Sequence, residues 1–528
     1  MTESEKVDFL GGDNLDGAGG GPHAHTGTQN GVSRLGLPAV LYSDGPVGPR
    51  QGSSTGMPAP MALAATFDPA LARLYGTTVA DEVKAKGNDV VFAPTVNVMR
   101  TPLGGRTFEA FGEDPFLIAR LTVAWIQGAQ GEGVIADVKH FAANNQEGVD
   151  PTGQLAQPGS PVGVGVQGSR MDENSIVDDR TLREIYLPQF EAAVKEGHVG
   201  SVMCSYNKLN GQYACENEHL LQQILRREWG FDGFVLADYG AAHNTVASLN
   251  NGLDFEPWPP IAYQPTLIDA ALGAGLASPD VVDDHVRAEL RTLFASGFFD
   301  RDAYLDDDAQ IDKAKDAAAA RHIEEQAITL LRNRDGLLPL DAAKVHSIAV
   351  IGKAAQSFVT GGGSGAITPF EVTTVLDGIR ARVAPGTVVT YLDGSDANAA
   401  AAAAKAADVA VVVANDYDTE GADRACLSLE CPRVNGDQDG LIAAVAAANP
   451  RTVAILEGGG PDLTPWRHKV GALLEAWYPG GPGGTAVARV LFGDVDPGGR
   501  LPASFPASES QLPTAGDPAK YPGTGLDV

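Results

Sequence analysis

Two acidic residues sit where chemistry would need them. Asp238 ends an apolar run, GFVLADYG, that reads as a buried strand. An uncompensated charge at the end of such a strand is expensive, so basic residues must gather round it. Lys139, Arg100, Arg106 and Arg170 are the candidates. A carboxylate ringed by cations stays ionised, the state required of a nucleophile at a sugar carbon. Glu420 lies in a loop, NDYDTEGADR, that follows the run VAVVVA. Asp416, Asp418 and Asp423 surround it in sequence, and like charges make a carboxyl hold its proton, the state required of a general acid. Acidic loops are also commonly plain solvated surface, so spacing alone leaves both readings of Glu420 open.

Other strand ends carry polar residues too. The runs PAVLYSD, DVVFAPTVNV, GVIADVKHF, VGSVMCSY and DGFVLADY end in or near Asp44, Asn97 with Arg100, Lys139 with His140, Tyr206 with Asn207, and Asp238. In parallel α/β folds the C-terminal strand ends converge on one face. Any one of these residues could be a solvated cap; five strands delivering polar groups to one rim calls for a functional site. Three weaker signals lead elsewhere and fail. GGGSG (361–365) followed by Ala366 fits a loose dinucleotide pattern, but no clean helix opens on it and no acidic residue follows at the needed spacing. A glycine loop that lets backbone approach a ligand is the better reading. Ser364 lacks the second glycine of a nucleophile elbow, since position 366 is alanine. His23 and His25 have no carboxylate or cysteine companions for a metal, and no metal or cofactor is implied.

These residues need a large scaffold to bring them together. The chain has 528 residues, enough for two or more domains. Strand–helix alternation from about residue 30 to 300, with helical stretches such as DPALARLYGTTVADEVKAKG and TLREIYLPQFEAAVKEG, predicts a parallel sheet covered by helices. Its length suits a (β/α)8 barrel. Residues 301–345, including DKAKDAAAARHIEEQAITLLRN, read as a helical connector. From HSIAVIG a second series follows, TVVTYLDG, ADVAVVVAND, RTVAILEGG and GALLEAWYPG, which predicts a smaller α/β domain over 346–506. Loops at 151–169 and 478–484 are Gly/Pro-rich surface, and 507–528 is an irregular tail.

Composition removes several function classes. The net charge of −29 disfavours a polyanion or an anionic lipid surface as partner. No run of about 18 apolar residues occurs, so no span is expected. The start, MTESEKVDFL, has neither a basic region nor an apolar core, so the expectation is a cytoplasmic protein, or a secreted one whose signal peptide was trimmed. Four cysteines in so long a chain form no disulfide framework. Cys204 with Cys215 and Cys426 with Cys431 are close enough for local pairs, yet four free thiols is the default expectation.

Longer blocks carry a resemblance: YSDGPVGPR (42–50), GRTFEAFGEDP (105–115), KHFAANNQE (139–147), DDRTLREIYLPQF (178–190), MCSYNKLNG (203–211), GFDGFVLADYGA (230–241), GGGSG (361–365), TEGADR (419–424) and LFGDVDPGGRLPASFP (491–506). In this order they resemble glycoside hydrolase family 3, in its β-glucosidase branch. The resemblance implies a TIM-like barrel followed by an (α/β)6 sandwich, with the site between them and no cofactor. It implies Asp238 as nucleophile and Glu420 as acid/base. It implies Asp44, Arg50, Arg106, Lys139, His140, Arg170, Tyr206 and Ser364 as sugar-holding positions, with Tyr239 beside the nucleophile where tryptophan is commoner. The expected activity is retaining, exo-acting hydrolysis of β-glucosides or β-linked oligosaccharides, with homo-oligomerisation left open. A glycosidase acting on a glycosylated natural product or a β-xyloside, and a non-catalytic sugar-binding protein, are the alternatives; the YSDGPVG stretch favours glucose. The N-acetylglucosaminidase branch carries an Asp–His pair that KHFAANNQE lacks. The fibronectin-like third domain of many relatives has no counterpart before Val528.

Overall fold

A computed structural model of the chain describes residues 1–12, 21, 23–148, 170, 171, 173–431 and 436–512. The Gly/Pro-rich segment 151–169 and the end of the tail, 513–528, lie outside these; the other Gly/Pro-rich stretch, 478–484, is buried rather than at the surface, because its glycines Gly480 and Gly484 pack directly on the backbone at Gly56 and Thr374. The five apolar runs of the first half are the five parallel strands Val40–Asp44, Val90–Phe92, Ile135–Phe141, Ser201–Cys204 and Phe234–Ala237, hydrogen-bonded in that order. They are buried on both faces, which is why they read as continuous rather than alternating apolar stretches.

The expected (β/α)8 barrel is met in part. Gly27–Gln29 pairs antiparallel with Val40–Tyr42. Single bridges then complete a ring: Gln29 with Gly12, Gly11 with Glu256, and Phe255 with Leu236. One stave thus runs against the others, and two are held by isolated bridges. Neither signal was legible, because LGG at 10–12 and DFE at 254–256 contain no apolar run. At Gly12 a Cβ would lie 2.5 Å from the Pro257 backbone, so only glycine lets the chain close the ring there.

Three covering helices share one start signal. Asp68, Asp114 and Ser278 cap Pro69–Ala85, Pro115–Gly131 and Pro279–Ala295 through their side chains, each with proline at the first helical position. TLREIYLPQFEAAVKEG is divided instead at Leu187, and the helix restarts as Pro188–Lys195 because proline has no N–H to continue the preceding turn.

The second domain is a six-stranded sheet in the order Thr329–Asn333, Ala472–Glu475, Thr452–Glu457, Val409–Asn415, Ser347–Ile351, Val388–Leu392. Residues alternate between two cores: Val409, Val411, Val413 and Ile455 face one side, Ala410, Val412, Ala414 and Leu456 the other. The connector differs from expectation. Lys313–Ala327 is helical, but Thr329–Asn333 is an edge strand, antiparallel to Ala472–Glu475. A short run at a sheet edge, after an Ala-rich helix, carries helical and strand periodicity equally well.

The four cysteines are not free thiols: Cys204 pairs with Cys215, and Cys426 with Cys431. The hairpin of Lys208–Leu209 and Gln212–Tyr213 folds the chain back until the Cα atoms of Cys204 and Cys215 are 5.1 Å apart, within bridging range. Sequence spacing carries no sign of that return. Among the described residues no helix is long and apolar enough to cross a membrane.

Candidate active site between the two domains

One cavity of about 660 Å³ opens where the strand ends of the first domain meet loops of the second, within the usual range for small-molecule sites. Asp44, Arg50, Arg106, Lys139, His140, Arg170, Tyr206, Asp238 and Tyr239 line it from the first domain, and Ser364 and Glu420 from the second. Among the other polar strand ends, Asn97 and Asn207 stand behind the wall. Asn97 Oδ1 accepts from the His140 backbone N–H (2.9 Å) and lies 3.2 Å from His140 Nδ1. Asn207 donates to the Ala142 and Ala143 carbonyls. Arg100 is not on this wall and faces Glu173 instead.

Asp238 follows Phe234–Ala237 directly and is 8% exposed. Its Oδ1 accepts the Tyr239 N–H at 2.8 Å. Its Oδ2 accepts no hydrogen bond among the described residues and faces His140 Nε2 at 3.5 Å. Against the expectation that surrounding cations hold it ionised, burial raises its proton affinity above the usual carboxylate range and outweighs the pull of Arg170, Arg106 and Lys139. His140 does not add a positive charge here. Burial, together with Arg106, Lys139 and Arg170, holds it well below the ordinary histidine range. The neutral ring keeps its proton on Nδ1, toward Asn97, so Nε2 accepts from Arg106 Nη1 at 3.1 Å.

Glu420 overturns the expectation that its acidic neighbours keep it protonated. Burial does raise its proton affinity, but Arg106, Arg170 and the Ser364 N–H outweigh that and hold it well below the usual range. Glu420 Oε1 lies 2.8 Å from Arg170 Nη2 and 3.7 Å from Arg106 Nη1, and Oε2 accepts the Ser364 N–H at 2.7 Å. The three aspartates are occupied elsewhere. Asp423 accepts the N–H groups of Gly105, Glu147 and Gly148 at 2.9–3.0 Å. Asp416 and Asp418 join Asp462 around the buried guanidinium of Arg424, with Asp416 Oδ2 at 2.9 Å. The loop is thus pinned to both domains by the residues beside Glu420.

Arg424→Ala would leave three buried carboxylates without their cation. The expected cost is about 3–5 kcal/mol, read as a lowered thermal midpoint together with lost activity.

The glycine loop GGGSG approaches Glu420. A Cβ at Gly363 would lie 2.2 Å from the Glu420 Cβ, and φ there is +80°, so glycine is required on two grounds. Arg106 fastens this region: it grips the buried Glu109 through Nε (3.1 Å) and Nη2 (2.7 Å) and donates to Ser364 Oγ at 3.1 Å. At the mouth, the half-exposed Tyr239 meets Trp258 edge-on, ring centroids 5.4 Å apart. Sequence reasoning missed Glu109, Glu147, Trp258 and Ile261. Glu147 was visible as the last residue of KHFAANNQE but stands off any strand end. Among the described residues no group of three His, Cys, Asp or Glu side chains is placed to hold a metal ion.

Two carboxylates from facing domains, the buried Asp238 and the partly buried Glu420, thus share one cavity with arginines, a lysine and a third carboxylate, Asp44. The chain matches the glycosyl hydrolase family 3 N-terminal domain over residues 10–256 and the family's C-terminal domain over 328–526, and it belongs to that family. It is 36% identical over 510 residues to thermostable beta-glucosidase B of Acetivibrio thermocellus, covering 92% of this chain and 63% of that one. It is 32% identical to a beta-glucosidase of Rhizobium radiobacter, across 99% of this chain and 80% of the relative. Among solved structures it resembles DesR, a beta-glucosidase from Streptomyces venezuelae in complex with D-glucose, at TM-score 0.89 and 32% identity, over 99% of this chain and 79% of that one.

Proposed function

We propose that the protein hydrolyses terminal β-linked glucose from glucosides by double displacement, with Asp238 as nucleophile and Glu420 as acid/base. The observation that carries this reading is the meeting of Asp238 and Glu420, from different domains, in one charged cavity. Its kinship with beta-glucosidases supports glucose as the sugar.

Asp238 Oδ2, the oxygen not held by the Tyr239 N–H, is the oxygen that attacks the anomeric carbon. Glu420 gives a proton to the departing oxygen and then takes one from water. Asp44 accepts sugar hydroxyl protons, and Lys139 and Arg106 donate to other hydroxyls. Those charge-assisted bonds strengthen as the ring flattens toward the transition state.

Sugar binding must also change the electrostatic balance between the two carboxyls. In the arrangement described, Asp238 is drawn toward the neutral form and Glu420 toward the charged one; displacement needs the reverse. A carboxyl that carries a proton cannot keep its full ion pair with Arg170, so sugar hydroxyls have to draw Arg170 and Arg106 away from Glu420.

Product analysis by NMR tests the reading. A β-glucoside should be turned over with β-glucose appearing first. Initial α-glucose means inversion and rejects double displacement. No turnover of any β-glucoside leaves a sugar-binding protein.

A further inference from the structure

Glu147 is a buried carboxylate on the cavity wall that the mechanism above leaves without a task. Its Oε2 lies 2.8 Å from Arg170 Nη1 and accepts the Gly421 N–H at 2.7 Å. Arg170 turns its other terminal nitrogen, Nη2, to Glu420 at 2.8 Å, and its guanidinium lies over the Tyr206 ring, 4.4 Å from the centroid. One cation is therefore shared by two carboxylates, and the carboxylate on the far side also holds the residue after Glu420. The Glu147 carbonyl accepts the Arg170 N–H at 3.2 Å, so backbone and side chain fix the same pairing.

We propose that Glu147 is the positioning residue of the acid/base loop. Through Gly421 it sets where Glu420 stands, and through Arg170 it sets how strongly a guanidinium pulls on Glu420. This rests on the reading of Glu420 as acid/base. The charged groups facing Glu147 are Arg170, Arg106, Glu420, Asp423 and Glu173. Those facing Glu420 are Arg106, Arg170, Glu147, Asp238, Asp44, Tyr206 and the neutral His140. Removing the charge of Glu147 leaves Arg170 to serve Glu420 alone and also removes a like charge beside it. Both changes favour the ionised form of Glu420. A general acid must be protonated, so its working range moves to lower pH.

The test is the pH dependence of kcat for the full chain at saturating cellobiose, the poor-leaving-group substrate, because kcat reports Glu420 in the substrate complex, where it carries the proton. Glu147→Gln keeps the shape and should move the basic limb down by about one pH unit, with the acid limb in place. Arg170→Met should move the basic limb up, the opposite sign, because Glu420 loses the cation. A purely structural role for Glu147 would lower the rate at every pH without moving either limb. Glu420→Ala is measured beside them with cellobiose and an activated aryl glucoside. If it spares the activated substrate while the basic limb stays put in Glu147→Gln, the role of Glu147 is overturned and the acid/base reading stands. If Glu420→Ala impairs both substrates alike, the acid/base reading fails and takes this inference with it. Should Glu147→Gln not fold, Arg170→Met decides: an unmoved limb there rejects the shared cation.

Discussion

Replacing Asp238 by asparagine should abolish the proposed covalent step and leave the fold standing. The amide matches the carboxylate in shape, and its Oδ1 can still accept the Tyr239 N–H that Asp238 takes at 2.8 Å. What disappears is the negative charge on Oδ2, the oxygen facing His140. An amide does not attack an anomeric carbon, so turnover should fall on the order of 10⁴-fold or more for every β-glucoside, regardless of leaving group. The thermal midpoint should hold or rise, since a buried carboxylate with an unpaired oxygen is costly to keep charged. A 2-fluoroglucoside with a good leaving group gives the positive counterpart: its slow second step should trap a glycosyl ester, and peptide mass spectrometry should find the label on Asp238. A label on any other carboxylate removes Asp238 from the role of nucleophile.

Glu420→Ala should split substrates by their leaving groups. Cellobiose and alkyl glucosides need the proton and should lose about 10²–10⁴-fold. Activated aryl glucosides need none, so their first step should survive and a burst of aglycone should precede a stalled second step. Azide requires no deprotonation; it should enter the space left by the carboxylate, restore turnover and yield β-glucosyl azide. The neighbouring aspartates give the control. Asp418 lies in the Arg424 cluster and accepts from Thr107 Oγ1 at 2.6 Å, so Asp418→Ala should lower stability without azide rescue. If azide rescues Asp418→Ala and not Glu420→Ala, the acid/base assignment moves to Asp418.

The strand-end residues of the cavity were legible because each sits at a recognisable seam. Asp44 and Asp238 close apolar runs, Lys139 and His140 lie near the end of another, and an interior strand has no other use for charge there. Glu420 was legible only through the TEGADR block, since an acidic loop by itself is ambiguous. Its charge state departs from what the neighbouring sequence implies for a definite reason. Asp416, Asp418 and Asp423 are near Glu420 along the chain, but Arg424 and backbone N–H groups absorb them, while Arg106 and Arg170, hundreds of residues away, sit against the carboxyl. Electrostatics follows distance in space, and sequence supplies only distance along the chain.

The same division runs through the whole molecule. By itself the sequence determined the two α/β halves, the long strands of both sheets and the strand-end residues Asp44, Lys139, His140, Tyr206 and Asp238 of the cavity wall, because period, apolar runs and strand-end polarity are local properties. Only the tertiary structure decided the antiparallel stave at Gly27–Gln29, the bridges at Gly11 and Gly12, the edge strand Thr329–Asn333, the pairing of all four cysteines and the sharing of Arg170 between Glu147 and Glu420. Each of these depends on segments brought together by chain closure over a distance, and no local pattern of residues records which partner a short strand, a thiol or a guanidinium will meet.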